Sequence, residues 1–410
     1  MTSLQPTESQ MPAIAFESRN GHTLNGNIEL PPGGVWRATA VFAHCFTCGS
    51  QVRAARTITS ALAGAGFAVL RFDFTGLGES EGEFADTNFS SNLDDLEDAA
   101  GWLGSHYAAP QLLVGHSLGG SAALAVAERL DSVRAVATIG APASPDHILK
   151  QFGEDLERIE ENGSAQVNLA GRPFRIRKDF IDDARNHDLS ERLHKLRRAL
   201  LVMHAPHDTI VGIDNAEAIY TAALHPKSFI SLDDADHLLS RRADAQYAAQ
   251  VVAAWAARFL EPETTPAPES ARVIGRTEDG FLCRVQAGPH ELVADEPKAS
   301  GGTDRGPDPY GLLASSLGAC TVMTINMYAR HKELPVERVT CEVSHRKIHA
   351  EDCEECETKS GKVDELVRHI WIEGDVTEEQ RQRMLQIAGK CPVHQTLKNE
   401  IQMHDELMEE

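Results

Sequence analysis

The sequence predicts a chain in two parts: an α/β domain, with a mostly parallel sheet, helices on both faces and a small cap, followed by a smaller α+β domain. Three observations carry this. Short apolar runs at 38–44, 67–72, 111–115, 133–139, 199–203 and 227–232 alternate with helical segments such as 51–65, 93–104, 118–130 and 214–223. Segment 261–270, Glu-Pro-Glu-Thr-Thr-Pro-Ala-Pro-Glu-Ser, has three prolines and no large apolar side chain, the composition of a stiff, solvated linker. Beyond it the pattern changes to short alternating strands around one very apolar helical stretch. The expected division is therefore a first domain over 1–260, a linker over 261–270 and a second domain over 271–410, and a chain of 410 residues is long enough for two cores.

Within the first domain, alternating segments 12–18 and 22–30 turn at Asn20-Gly21 and predict a leading antiparallel hairpin. The alternation of strands and helices then runs regularly except over 144–198, which is charged and too long for one crossover. Helix-like stretches near 146–161 and 179–196 make this segment a cap over the carboxyl edge of the sheet, where such folds bind ligands. In the second domain, 271–278, 281–287 and 290–296 read as three short strands, with turns at Asp279-Gly280 and Gly288-Pro289. A helix over 310–331 follows, apolar nearly all round in its first half and so expected to be buried in a domain centre or a dimer interface. Strands 336–349 and 363–373, a helix over 377–389 and a last helix starting at Pro392 complete the expectation.

A net charge of −22 opposes nucleic-acid or anionic-membrane partners, since either would repel such a surface. Hydrophobic content of 42% with 24% charged residues is that of a globular protein. The stretch MTSLQPTESQMP has no basic start or apolar run, and no window reads as the ~20 apolar residues that span a bilayer. A cytoplasmic location is expected, and in that compartment the eight cysteines point to chemistry or metal binding rather than structural disulfides.

The run 111–115 leads directly into Gly115-His116-Ser117-Leu118-Gly119-Gly120 and the helical SAALAVAERL. This is G-x-S-x-G at a strand-to-helix turn, the context the motif requires. A sharp turn lifts the serine hydroxyl clear of the sheet, and glycines at 115 and 119 let neighbouring backbone pass close by. A serine needs a base, and the base an acid to orient it. Asp208 follows run 199–203 and His237 follows run 227–232, so the three meet at one sheet edge in the order Ser, Asp, His. The N–H of Leu118, at the helix start, is placed to bind a developing oxyanion. Run 38–44 leads into His44-Cys45-Phe46-Thr47-Cys48-Gly49-Ser50, which supplies the second donor from the Phe46 N–H. His44, His116, His204 and His207 crowd the site, but they read as local hydrogen-bonding residues and receive no role. With the glycine-rich RFDFTGLGES loop at 71–80, these motifs resemble the α/β-hydrolase superfamily over roughly 250 residues. The resemblance implies the α/β-hydrolase fold and an acyl-enzyme esterase with catalytic Ser117, Asp208 and His237.

In the second domain Cys320 lies mid-helix, and Cys391 stands just before Pro392 at a helix start, where the dipole favours a thiolate. The segments GGTDRGPDPYGLLASSLGACTVMTINMYAR and GKCPVHQTL resemble the OsmC family of thiol-dependent peroxide reductases across 271–410. The resemblance implies a peroxidatic Cys320, a resolving Cys391, hydroperoxide substrates, a thiol reductant and a homodimer formed through this domain. A sulfenic acid with a second thiol in reach is the reversible rung of cysteine oxidation. The pattern departs in one respect: family members carry a glutamate at the start of the central helix, where Tyr310 and Gly311 stand here. Arg276 and Arg284 are candidates for the family's activating arginine. Alternatively, Cys320 is a small buried hydrophobe and the domain an assembly module, leaving the hydrolase as the only enzyme.

Two cysteine pairs are left over. His345, His349, Cys353 and Cys356 have a spacing that could suit zinc, but two histidines four apart on a strand stand about 13 Å apart, and a solvated hairpin loop is the preferred reading. Cys45 and Cys48 form a C-x-x-C within the oxyanion loop, either a redox pair or two buried small side chains. Neither activity requires a cofactor or metal. The whole resembles a bifunctional esterase and peroxide-detoxifying enzyme acting on small-molecule esters and hydroperoxides.

Overall fold

A computed structural model describes residues 13–46, 49–169, 171–260, 270–350 and 361–408. The chain divides into two compact units, Met1–His290 and Glu291–Glu410.

The first unit opens with β1 (Ala13–Glu17) and β2 (Thr23–Glu29), the expected hairpin. There follow β3 (Ala38–Ala43), α1 (Arg53–Gly64), β4 (Phe67–Phe72), α2 (Phe89–His106), β5 (Leu112–His116), α3 (Leu118–Val126) and β6 (Ala135–Ile139). After an intervening segment come β9 (Ala199–His204), α7 (Asp214–Ala222), β10 (Lys227–Ser231) and α8 (Arg242–Ala256). Eight strands form one sheet in the order β1-β2-β4-β3-β5-β6-β9-β10. The pairs β1–β2 and β2–β4 are antiparallel and every other pair is parallel. β3 to β6 and β9 are buried along their whole length, which requires apolar side chains pointing both ways and explains why these runs do not alternate. One face packs Leu70, Leu113 and Val136 with Leu93, Leu96 and Ala123 of α2 and α3. The other packs Phe42, Val69 and Val114 with Ile58 and Leu62 of α1 and Ala249 and Val252 of α8.

Segment 144–198 is more structured than two helical stretches. It begins with a 3-10 turn (Pro145–Gln151) and continues as α4 (Asp155–Asn162), β7 (Ser164–Leu169), β8 (Arg172–Arg177), α5 (Lys178–Asn186) and α6 (Leu189–Lys195). The β7–β8 hairpin, absent from the sequence reading, buries Val167, Leu169 and Ile176 and exposes Asn168, Arg172, Pro173 and Arg175. Its apolar side chains are too few and too diluted by arginine for a period-two signal to stand out. Phe152, Ile159 and Phe180 join them in the same core as α2 and α3.

The unit boundary at His290 places the hairpin of β11 (Ala271–Gly275) and β12 (Cys283–Ala287) with the first unit, where the sequence reading put it in the second domain. The reason is polar as well as steric. Asp279 accepts a bond from Gly33 N–H at 3.3 Å, and the Arg284 guanidinium donates to Val35 C=O at 3.4 Å.

In the second unit, β13 (His290–Ala294) leads to α9 (Pro309–His331), β14 (Val336–His349), β15 (Lys362–Gly374), α10 (Glu378–Ala388) and α11 (Pro392–Lys398). Asp308 caps α9, its carboxylate accepting from Gly311 N–H, and Pro309 fills the first helical position. By length and composition α9 is long and apolar enough to cross a membrane, which the sequence reading did not register. It packs one face against β14, α10 and α11, and its burial falls short of the sequence expectation, since Met323 and Met327 are exposed. β14 and β15 pair antiparallel, with Val343 opposite Arg368 and Cys341 opposite Ile370. The core of this unit is small: Ile325, Ala329, Met384 and Ala388 are its buried members.

The backbone packs tightest at the β5–α3 turn. A Cβ on Gly119 would stand 2.3 Å from Ala43 O and 2.4 Å from His44 O, and one on Gly115 would stand 2.3 Å from Gly119 O. All of these are backbone atoms, which cannot step aside. Gly119→Ala is therefore expected to destabilise the first unit by about 3 kcal/mol or more, at or beyond the upper end of overpacking costs, in urea titrations. Gly101→Ala, on an exposed turn of α2 with open space around it, should stabilise by about 0.5–1 kcal/mol.

Candidate active site

Three segments deliver a hydrogen-bonded relay at the carboxyl edge of the sheet. Ser117 sits between β5 and α3 at φ 55° and ψ −128°, a conformation that costs about 1–3 kcal/mol for a residue with a side chain. Its backbone N–H donates to Ile139 O at 2.8 Å, tying the turn to the neighbouring strand β6. His237 Nε2 lies 3.0 Å from Ser117 Oγ, and His237 Nδ1 lies 2.6 Å from Asp208 Oδ2. Asp208 can only accept, so Nδ1 carries the proton and the Nε2 lone pair faces the serine. Burial raises the Asp208 pKa. The hydrogen bond from His237, with those from the Val211 and Ile210 N–H groups, outweighs burial and holds the carboxyl below its ordinary range. The arrangement can take a proton from Ser117 Oγ and stabilise the resulting imidazolium, which is the chemistry of acyl transfer.

The surrounding histidines hold backbone. His116 Nε2–H donates to the backbone carbonyl of His237 at 2.7 Å, anchoring the loop that carries the base. Burial, followed by the neighbouring His237, pushes the His116 pKa down to about 4, so this ring stays neutral. His44 Nδ1–H donates to Cys45 C=O at 2.8 Å, and burial likewise lowers its pKa. His204 Nε2 lies 2.8 Å from Val211 C=O. His207 is exposed. Sequence reasoning left these anchoring bonds unassigned, since adjacency in sequence does not show which carbonyl a ring will face.

Leu118 is the first residue of α3, where a backbone N–H has no partner within the helix. Phe46 is buried just beyond β3, its ring 5.2 Å from that of Phe84 and 5.1 Å from that of Phe180 in the cap. Cys45 is buried and disulfide-bonded, while Cys48 lies outside the described residues.

In the second unit Cys320 and Cys391 are both free thiols, with no bond between them. Cys391 caps α11 as the sequence suggested, its Sγ accepting from His394 N–H at 3.3 Å. Thr321, the neighbour of Cys320, places its Oγ1 3.9 Å from Cys391 Sγ and accepts from the Arg368 guanidinium at 2.8 Å. Arg368 is thus joined to Cys391 through the Thr321 hydroxyl. The two earlier candidates are engaged elsewhere: Arg276 pairs with Glu278 and Asp279, and Arg284 bonds Val35. Tyr310 stacks on His345 with ring centres 4.0 Å apart, and Gly311 has no side chain, so neither brings a carboxylate. His345 Nε2 is 2.8 Å from Asp364. Among the described residues no group of three or more His, Cys, Asp or Glu is placed to hold a metal ion; Cys353 and Cys356 lie outside them.

Residues 40–260 match the alpha/beta hydrolase family, and residues 302–404 match the OsmC-like proteins. The mitochondrial palmitoyl-protein thioesterase ABHD10 of Mus musculus is 29% identical over 199 residues, 44% of this chain and 62% of that protein. Its Homo sapiens counterpart is 26% identical over 201 residues. The chain thus spans about three fifths of these relatives. Among solved structures, the esterase domain of a Rhodothermus marinus protein is 46% identical with a TM-score of 0.52, covering 61% of this chain and 99% of its own. Est1E of Butyrivibrio proteoclasticus shares the fold at 19% identity and a TM-score of 0.53, over 60% of this chain and 99% of its own. Fold, matched residues and relatives agree: the chain belongs to the α/β-hydrolase family and carries an OsmC-like domain after the hydrolase domain.

Proposed function

We propose that the hydrolase domain is a serine carboxylic-ester hydrolase, and the observation that carries this is the unbroken Ser117–His237–Asp208 relay at 3.0 and 2.6 Å. Ser117 Oγ attacks the ester carbonyl while His237 takes its proton. The resulting oxyanion lies between the Phe46 and Leu118 N–H groups, and His237 returns the proton to the leaving group. Water, activated by the same base, releases the acyl group. An acyl-enzyme serves oxygen esters and thioesters alike, so both esterase and thioesterase relatives are compatible with it. The Phe84 and Phe180 rings, packed on Phe46 beside the proposed oxyanion donor, favour a partly apolar substrate.

For the OsmC-like domain we infer thiol-dependent reduction of organic hydroperoxides, Cys320 attacking the peroxide and Cys391 closing the disulfide, with a dithiol restoring both. Arg368, joined to Cys391 through Thr321, supports it by bringing a cation to the pair. The domain acts as a homodimer. Met323 and Met327 on α9 are 69% and 68% exposed beside the small apolar cluster of Ile325, Ala329, Met384 and Ala388, which favours burial against a second copy. Among the described residues Cys283, Cys320, Cys341 and Cys391 are free thiols, as in a reducing compartment such as the cytoplasm, and the disulfide-bonded Cys45 is the exception. The second reading, an assembly module without peroxide turnover, draws on Tyr310 and Gly311, which bring no carboxylate to the start of α9.

In p-nitrophenyl ester hydrolysis, Ser117→Ala should abolish the acyl-enzyme burst, and Asp208→Asn should lower kcat about 10³–10⁴-fold through the wrong His237 tautomer. Cys320→Ser should remove thiol-dependent cumene hydroperoxide turnover and leave ester hydrolysis intact; a wild type without peroxide turnover selects the assembly reading. His116 has a folded pKa of about 4, below its ordinary 6.5, so its contribution to stability is present above pH 6.5 and is lost as pH falls through 4. Urea unfolding should therefore weaken by about 3 kcal/mol across that window, and His116→Gln should flatten the dependence.

A further inference from the structure

The first turn of an α-helix leaves its N–H groups without partners in the helix itself. At the start of α2, Asn88 serves one of them, its side chain accepting from Ser91 N–H at 2.8 Å. The neighbouring Ser90 N–H is served from the cap. Asp183 of α5 accepts it through Oδ2 at 2.8 Å and accepts from Ser90 Oγ through Oδ1 at 2.6 Å. The Ser90 hydroxyl proton is thereby committed, so His187 Nε2, 2.9 Å from the same oxygen, carries a proton and donates to it. The His187 ring also stands edge-on to Phe89, with ring centres 4.8 Å apart. Burial raises the Asp183 pKa, but the nearby His187 ring and the two Ser90 donors outweigh it and hold the carboxyl below its ordinary range. A serine, an aspartate and a histidine thus meet a second time in this domain. Here the hydroxyl is held by the carboxylate and faces no free lone pair of the ring, so the trio is a latch and not a second nucleophile.

The latch fixes how α5 lies. Phe180, Asp183 and the C-cap residue His187 recur at helical spacing, so they share one face. That face brings Phe180 onto Phe46, with ring centres 5.1 Å apart, and towards Phe152 at 6.2 Å. The bonds at Asp183 are one turn along from this contact, and each is directional and mostly shielded from water.

We propose that Ser90, Asp183 and His187 are positioning residues for acyl-chain specificity: by bolting α5 to the start of α2 they hold Phe180 where it meets the acyl chain of the substrate. The inference rests on the assignment of Ser117 as nucleophile and Phe46 as oxyanion donor. An acyl oxygen bound at the Phe46 N–H sets the first carbons of the chain beside Phe46, and a longer chain continues onto the rings packed there. An acetyl group ends short of them. Releasing the latch therefore weakens the binding of long acyl chains and spares short ones.

The test compares KM and kcat for p-nitrophenyl acetate and p-nitrophenyl octanoate in the full chain. Asp183→Ala should raise KM for the octanoate about 10-fold, as the loss of about two methylenes' worth of burial would, and leave both constants for the acetate within about 2-fold. Phe180→Ala should reproduce this shift, and adding Asp183→Ala to it should raise KM no further, since both act through one contact. Arg192→Ala serves as the comparison. Arg192 ties α6 to Ala125 C=O at 3.0 Å and to Glu128 at 2.9 Å, so its loss should lower stability and leave the octanoate-to-acetate ratio unchanged. If Asp183→Ala does not fold, Ser90→Ala, which removes the hydroxyl and keeps the N–H bond, decides by the same readouts. A folded variant that keeps its octanoate KM within about 2-fold of wild type, or loses acetate and octanoate alike, overturns the latch. So does a further rise of equal size in the Phe180→Ala background. A wild type whose turnover survives Ser117→Ala overturns the nucleophile assignment instead.

Discussion

The close backbone approach at the β5–α3 turn is the constraint on which the hydrolase site depends. Gly119 lies so near the carbonyls of Ala43 and His44 that no side chain fits between them. Strands β3 and β5 must therefore be sheet neighbours, and they are. Adjacency of those two strand ends brings the Phe46 segment beside the Leu118 N–H, since one follows β3 and the other follows β5. The backbone strain at Ser117 belongs to the same arrangement. A relaxed serine would end its strand or begin its helix, and in either case its hydroxyl would not stand clear of the sheet.

The electrostatics around the relay disfavour charge on two neighbouring rings, His116 and His44. His116 lies with its ring centre 5.3 Å from that of His237, close enough for two positive charges to oppose each other. Burial keeps His116 uncharged and leaves its Nε2–H available to hold the His237 carbonyl. Asp208, held below its ordinary range, stays ionised beside the base and so favours the imidazolium that proton transfer creates. The same low dielectric that suppresses charge on the structural histidines strengthens the pair that has to carry it.

What was legible in the sequence follows from which interactions are local. The strands of the main sheet show as apolar runs because both their faces are covered, and the G-x-S-x-G turn shows because Gly115 answers a steric need within five residues, at Gly119 and Gly120. The cap hairpin was not legible: its register is set by a few side chains reaching a core built from distant helices, while its own residues are largely charged. Arg71 was equally hidden. An arginine within Phe67–Phe72 reads as a solvated strand position, and only the fold reveals that Glu29, 42 residues away, meets it in the interior. Arg368 is the parallel case in the second domain, where its closeness to Cys391 depends on Thr321 presenting a hydroxyl from another element. Sequence spacing reports residues that serve their own turn or helix, and it is silent on a charge whose partner lies across a core.

The two domains solve the burial problem in different ways, and this bears on how each would work. The hydrolase sheet is covered on both faces by its own helices, so its relay is complete within one protomer. The OsmC-like unit places a 23-residue apolar helix against two long strands, and its apolar cluster among the described residues is small, with Ile325, Ala329, Met384 and Ala388 buried. A unit of that size is marginal when much of its apolar surface faces water, and covering the Met323 and Met327 face would offset this. Its stability would then depend on protein concentration, as that of the hydrolase unit would not. Under the proposed reading, Cys320 on that same helix acts in a site whose rigidity comes from association, whereas the rigidity of the Ser117 site comes from buried charge and backbone contact within one fold.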